Sequence, residues 1–299
     1  MKQTKKKMVW LVVFLVVGSI PVFGKPFAVG PYLGQTPPGP VAQVFAPGLI
    51  CDTRPHQWET WGSFSADGNT FCFYRHWYVY ITENTDQGWT VPKRIKSIPY
   101  QTAGYCCLSA DANSIYFIHI VNPPKHYNPA RSQRTSDGWS TPQEIGPPLS
   151  SPAKQLGLSL TADNSIYLCS NRQPKGLRYF PCVNNTWPRA IRIDVNYPVC
   201  DPGIAPDESF MVFTAMNQPG GYGVRDLYLT LRLPDGTWTK PRNMGPRINS
   251  AYFEYGPRIS PDKKYLFFTR ANGWWENPYR DTSDIYWVEL KEYLPESYR

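Results

Sequence analysis

The chain has 299 residues, including 31 Pro, 22 Gly, 11 Trp, 20 Tyr and 14 Phe. Charged residues are 18% and aromatics 15%, which excludes a disordered chain, since disorder needs high charge and few aromatics. Pro at about one residue in ten interrupts long helices and excludes a bundle or coiled coil, leaving a loop-rich, mostly β protein.

The formal charge of +8 points to nucleic acid only until it is located. Lys2, Lys5, Lys6 and Lys7 carry half of it, just before the apolar run Met8 to Val17. Gly18, Ser19 and Pro21 follow, then Val22-Phe23-Gly24. A basic start, a short apolar run and a small residue at the cut read as a secretory signal peptide over residues 1–24. The run is shorter than the roughly 20 residues of a spanning helix, and no Cys stands at the cut to carry a lipid. The expectation is a periplasmic or secreted protein with no membrane span after cleavage and no nucleic-acid partner. Residues 25–40, rich in Pro and Gly, read as an extended lead-in to a single domain over 41–299.

Five segments then share one pattern: Ser63-Phe-Ser-Ala-Asp67, Cys107-Leu-Ser-Ala-Asp111, Ser159-Leu-Thr-Ala-Asp163, Gly203-Ile-Ala-Pro-Asp207 and Arg258-Ile-Ser-Pro-Asp262. The Asp spacings are 44, 52, 44 and 55 residues. After each Asp come a polar turn and a β-rich run, such as Phe71-Cys-Phe-Tyr or Leu266-Phe-Phe-Thr. Strand, turn and strand make a hairpin, with the Asp accepting backbone amides two residues on. These five Asp are therefore structural.

Third strands follow at Tyr78-Val-Tyr-Ile, Arg178-Tyr-Phe, Asp226-Leu-Tyr-Leu and Asp284-Ile-Tyr-Trp. Fourth strands are led by Trp89, Trp139, Trp187 and Trp238, which read as packing residues. Four strands in about 44 residues, repeated, is the period of propeller blades. The fifth repeat lacks a fourth strand, and Phe45-Ala-Pro-Gly-Leu49 matches the pattern of Ile145-Gly-Pro-Pro-Leu149 and Met244-Gly-Pro-Arg-Ile248. An N-terminal strand supplying it would remove exposed edges. The expected fold is an all-β, single β-propeller of five four-stranded blades, with six as the alternative, closed by that strand.

The repeated Ser-Pro/Ala-Asp hairpin, the Asp-Leu/Ile-Tyr third strand and the Gly-x-Trp-x-x-Pro fourth strand resemble the WD-repeat-like β-propeller family, the type also seen in TolB. Asn217-Gln-Pro-Gly-Gly-Tyr-Gly-Val-Arg-Asp226-Leu-Tyr is similar to that family's loop before the third strand. Met216 and Gln218 depart from the pattern, as does the second repeat, which lacks the Asp before its third strand. The resemblance covers about residues 31–290. It implies an exported propeller acting as a binding or scaffolding module, and a fold alone does not license a function.

Seven cysteines, Cys51, Cys72, Cys106, Cys107, Cys169, Cys182 and Cys200, leave at least one thiol unpaired. Cys72 and Cys107 lie in hydrophobic runs and read as small core residues. Cys169 and Cys182 sit equally far from the turn around Lys175, which leaves a cross-strand bridge open. No CxxC or zinc-type spacing occurs, and His56, His76, His119 and His126 show none either, so no metal or cofactor is expected.

In a four-stranded meander the second-to-third loops and the blade-to-blade loops share one face. The ligand-binding candidates there are Trp58, Trp61, Trp77, Tyr222, Arg225, Trp274, Trp275 and Arg280. Rings interleaved with Arg suit a glycan or an envelope or extracellular protein, bound by a monomer without catalysis. The competing expectation is a glycoside hydrolase using Glu59, Asp201 and Glu254, equivalently placed carboxylates at three blade entries. Each is equally suited to hydrogen-bond a neighbouring blade's backbone. Tyr255 reads as a channel plug.

Overall fold

The computed structural model describes residues 27–52, 54–121, 126–150, 154–170, 176–273 and 282–299. The expected signal peptide lies outside them, as do Trp274, Trp275 and Arg280. The protein is all-β, with its strands in several sheets.

The hairpins are built as the turn chemistry predicts. Asp67, Asp111, Asp163, Asp207 and Asp262 each accept the amide two residues on, at 2.9–3.1 Å. Four also accept a hydroxyl from the residue two before, Ser65, Ser109, Thr161 or Ser260. In the fourth repeat Ala205 stands there, and Ser209 supplies the hydroxyl instead, at 2.6 Å.

Each hairpin joins an inner strand to a second one: Glu59–Phe64 to Thr70–Arg75, Ala103–Leu108 to Ser114–Val121, Gln155–Leu160 to Ile166–Ser170, Cys200–Ile204 to Phe210–Met216, and Phe253–Ile259 to Tyr265–Ala271. Third strands pair antiparallel onto the second: Tyr78–Thr85, His126–Thr135, Gly176–Phe180, Arg225–Leu231 and Ser283–Glu289. Second strands are buried on both faces, so they read as continuous apolar runs rather than alternating ones.

Alternate residues of one strand serve two different interiors. Phe71 and Phe73 pack with Phe267 and Trp287 of the fifth repeat. Cys72 and Tyr74, on the opposite side, pack with Ile115 and Phe117 of the second. Corresponding clusters join the second repeat to the third, the third to the fourth and the fourth to the fifth.

Every inner strand carries a β-bulge at the same place, between Thr60 and Ser63, Gly104 and Cys107, Leu156 and Leu158, Cys200 and Gly203, and Tyr255 and Arg258. The left-handed residue of each bulge stands six positions before the turn Asp: Trp61, Tyr105, Gly157, Asp201 and Gly256, with φ between 44° and 62°. Two glycines are required by contact as well as by φ. A Cβ on Gly157 would lie 2.4 Å from Asp201 Cα, and one on Gly256 would lie 2.4 Å from Trp61 Cδ1.

Three local details differ from expectation. The strand that pairs onto Ser283–Glu289 is Gln43–Val44, opposite Trp287 and Tyr286, two residues earlier than predicted. Phe45 N still donates to Ile285 O at 2.8 Å, and the chain turns away from Ala46 onward, with Leu49 N donating to Ala46 O at 3.0 Å. The lead-in is not simply extended: Tyr32 and Leu33 adopt left-handed angles within Pro31–Gly34, and Leu33 is buried in the cluster with Phe64 and Trp287. All seven cysteines are free thiols. Cys169 faces Leu177 in register and donates to Val199 O at 2.9 Å, so the Cys169–Cys182 bridge does not form.

Among the packing Trp, Trp89 and Trp187 are buried and donate to Gly30 O and Asn164 O at 2.7 and 3.0 Å. Trp139 lies under Arg134, 4.8 Å from ring centre to guanidinium, and Trp238 packs against the cluster around Met211 and Phe213.

Candidate functional site

The loop ends of the repeats converge on a cavity of about 250 Å³. Its walls are Trp58, Trp61, Tyr74, Trp77, Tyr105, Tyr127, Phe253 and Tyr255, with Lys154 and Arg225 as the cationic members. These side chains come from the inner strands and the residues just before them, and from the ends of second and third strands with the loop between them.

The walls hold one another in place. Trp58 and Trp77 meet edge to face at 4.4 Å, and Trp61 lies 4.8 Å from Tyr105, 5.3 Å from Tyr74 and 6.2 Å from Tyr255. Such pairs add about 0.5–1.5 kcal/mol each beyond area burial, so the cavity is pre-shaped. Trp61 is fixed further by its amide, which donates to Thr269 Oγ1 of the fifth repeat at 3.2 Å. Its Nε1 is buried without a partner. Lys154 Nζ sits 4.4 Å from the Tyr127 ring centre, and Arg225 is 5.9 Å from that of Tyr255. Burial pushes the Tyr105 and Tyr255 hydroxyls well above the usual phenol range, so both stay neutral.

Of the expected ligand-binding residues, Trp58, Trp61, Trp77 and Arg225 come together here. Tyr222 does not line the cavity and is 47% exposed; its amide and that of Gly223 donate to Asp226 at 2.7 and 3.0 Å, so this loop is an Asp-pinned turn. Tyr255 stands in the cavity wall. Sequence reasoning missed Tyr74, Tyr105, Tyr127, Lys154 and Phe253. Tyr105 was within reach, because it occupies the same repeat position as Trp61.

None of the three candidate carboxylates lines the cavity. Glu59 and Glu254 are fully buried and stand directly opposite Arg75 and Arg270 in register, with Nε–Oε1 distances of 2.8 Å in both. Glu254 also accepts from Ser250 Oγ at 2.5 Å. Burial outweighs the Arg75 ion pair and pushes the Glu59 carboxyl up to about 7; burial raises Glu254 too, against Ser250 and Arg270. Asp201 is not their equivalent. It sits two positions nearer its turn Asp, on the bulge, buried behind the cavity with Oδ2 3.9 Å from Arg225 Nη1. Burial raises its carboxyl, against the pull of Arg225 and Arg258.

His119 and His126, on adjacent strands, both meet Glu144 Oε1, at 3.4 and 2.7 Å. Among the described residues no group of three or more His, Cys, Asp or Glu has an arrangement that could hold a metal ion. No described helix is long and apolar enough to cross a membrane.

No family model matches the chain, and no curated protein matches it. Solved structures similar to it include a protein assigned as TolB from Agrobacterium tumefaciens, at 16% identity and TM-score 0.48, covering 72% of this chain and 70% of the other. TolB from Acinetobacter baumannii is similar at 11% identity and TM-score 0.46, over 78% of this chain and 54% of that one. A gluconolactonase from Xanthomonas campestris is similar at 12% identity and TM-score 0.45, over 84% and 97%. TolB proteins are thus among the solved structures this chain is similar to.

Proposed function

We propose that this chain is an exported five-bladed β-propeller, closed by Gln43–Val44, that binds the end of a glycan in the aromatic cavity without turning it over. On this reading residues 1–24 are a cleaved signal, 25–40 a lead-in that packs across the first and last blades, and 41–299 the propeller of a monomer. Closure is supported by the cluster joining Phe71 and Phe73 to Phe267 and Trp287.

The observation that carries the binding role is an aromatic cavity with, among the described residues, two cations and no carboxylate in its wall. Aromatic faces cover the apolar faces of a sugar ring, and Arg225 and Lys154 donate to its hydroxyl or acidic substituents. At about 250 Å³ the cavity falls just below the ~300–1,000 Å³ of drug-sized pockets, which suits one ring better than an extended peptide. Glycoside hydrolysis needs two carboxyl groups flanking the scissile bond, whereas Glu59 and Glu254 are spent on arginines behind the wall.

Tryptophan fluorescence titration of the mature protein against neutral and acidic oligosaccharides tests this. Saturable binding lost in Trp77→Ala supports it. Turnover of any of these sugars that Glu254→Gln or Asp201→Asn abolishes would transfer the reading to the hydrolase. A protein partner is the second reading, favoured by the exposed Tyr100, Tyr222 and Tyr252 in loops of the same face. Envelope protein captured by wild type and lost when these three become Ser, with no sugar bound, would establish it instead.

A further inference from the structure

The opposite end of the axis holds a second cavity, of about 160 Å³. It is ringed by the residues just before the five turn Asp: Ala66, Ala110, Ala162, Pro206 and Pro261. All five inner strands therefore contribute to it. Four positions before each turn Asp the repeats carry Ser63, Cys107, Ser159, Gly203 and Arg258. Four are small, and the fifth is an arginine only 5% exposed.

Arg258 is held but not neutralised. Its Nη1 and Nη2 donate to the carbonyls of Pro257 and Tyr105, at 2.8 and 3.1 Å, and Nε has no partner. It makes no ion pair among the described residues. Arginine does not shed its proton, so the charge stays. Asp201 Oδ2 lies 3.9 Å from Arg225 Nη1 and makes no ion pair with Arg258, so no described carboxylate neutralises Arg258 directly. Of the other buried carboxylates, Glu59 is matched by Arg75 and Glu254 by Arg270, while Asp226 is held by the amides of Tyr222 and Gly223 and by Asn243. Buried charges are otherwise paired.

The neighbouring hydroxyls complete the donor set. Ser63 Oγ accepts Leu108 N at 3.3 Å, and Ser159 Oγ accepts Ile204 N at 3.1 Å. Each receives a hydrogen bond from the next repeat and donates to no described group, so its own proton is available. Arg258, Ser63 and Ser159 all line the small cavity, with a guanidinium N–H and two hydroxyl protons unspent among the described residues.

We infer that a small monovalent anion, a halide or a compact carboxylate such as formate, binds on the axis against Arg258, Ser63 and Ser159. It supplies the missing negative charge. Because Arg258 also holds the Tyr105 carbonyl, the anion braces one wall of the aromatic cavity from behind.

The test uses the full mature chain. Crystals soaked in sodium bromide are expected to show an anomalous peak within hydrogen-bonding reach of Arg258 Nε. In solution, Tm is compared in sodium chloride, sodium formate and sodium gluconate at equal ionic strength, gluconate being too large for the cavity. Chloride or formate is expected to raise Tm over gluconate in wild type, and the difference to vanish in Arg258→Met. Stabilisation by only one of the two identifies the anion and still supports the site. Should Arg258→Met fail to fold, Ser159→Ala provides the readout, with the anion concentration for half-maximal stabilisation raised severalfold. The proposal is overturned if wild type shows no bromide peak and no anion-specific Tm shift, or if the shift is unchanged in both variants.

Discussion

Glu59 and Glu254 on one side and Asp201 on the other are buried acids at the loop-side ends of inner strands, yet the fold treats them differently. Glu59 and Glu254 occupy the register position opposite an arginine, and the pairs are built alike. Arg75 lies over Phe73 and Tyr80, and Arg270 over Phe268 and Tyr286. Both donate onward to a carbonyl, of Ile50 and Ile248 respectively. Asp201 instead sits on the bulge, with its nearest guanidinium at 3.9 Å and on the cavity side. A two-residue offset therefore separates carboxylates that staple a blade from one that tunes the charge of the axis.

Removing the arginines should break this comparison most sharply. Arg270→Met leaves Glu254 buried without its cation, and loss of one partner of a buried pair costs about 3–5 kcal/mol. Arg225→Met removes a partner that is not in hydrogen-bond contact with Asp201, and a cost of about 1 kcal/mol is expected. Urea unfolding of the two variants gives both numbers. Equal losses would end the distinction between stapling and tuning carboxylates.

The next effect is on pH dependence. The Glu59 carboxyl is raised to about 7 in the folded chain from its ordinary 4.5, so the folded state binds more protons than the unfolded one between those values. Stability must then fall as pH rises through that window. The shift corresponds to roughly 3 kcal/mol, with Asp284, raised to about 6 by burial and by Asp52, acting in the same direction. Glu59→Gln keeps an acceptor for Arg75 Nε and removes the ionisation. It should flatten the curve between pH 5 and 8 and leave the protein more stable than wild type at pH 8. A wild-type curve rising across that window would contradict the burial argument.

The hairpins and blade pattern were legible because they repeat: a turn Asp that accepts the amide two residues on needs the same residue every time. The bulge was not, because its requirement is a left-handed backbone, met differently by Trp61, Tyr105, Gly157, Asp201 and Gly256. Only their constant distance of six from the turn Asp marks them. Reading Asp201 as equivalent to Glu59 and Glu254 followed from ignoring that count. Glu at eight before and Arg at eight after Asp67 and Asp262 would have revealed both staples. Arg258 was hidden inside a strand motif, although it alone is large where the other repeats are small. Tyr127 and Lys154 reach the cavity through folding of the second and third repeats, which no local pattern announces.

A smaller effect is expected on binding. Arg225→Met and Trp77→Ala should each weaken oligosaccharide binding by about 10- to 100-fold, the range for truncating a buried anchor worth roughly 1.4–2.7 kcal/mol. Glu59→Gln should leave affinity unchanged, since its side chain faces Arg75 behind the wall. Isothermal titration of the three variants separates the cavity from its support. If Glu59→Gln weakened binding as much as Trp77→Ala, the carboxylate would belong to the site.

The smallest effect comes from carboxylates held by amides and hydroxyls instead of arginines. The Ser65 hydroxyl, with the Asn69 amide, holds the Asp67 carboxyl below its usual range against a little desolvation; Ser109 and Asn113 do the same for Asp111. Here the sign is reversed from Glu59. The contribution is complete above the unfolded carboxyl value and disappears as pH falls through the lower folded one. Asp67→Ala should cost about 1 kcal/mol at neutral pH, the net worth of its hydrogen bonds, with the electrostatic part reduced by solvent screening at this exposed turn. It should also shrink the stability lost on acidification below about pH 4 while leaving the slope between pH 5 and 8 untouched. Glu59→Gln should do the opposite. The two variants measured across one pH series therefore separate the turn-end carboxylates from the loop-end ones, and a change in the same limb for both would merge them.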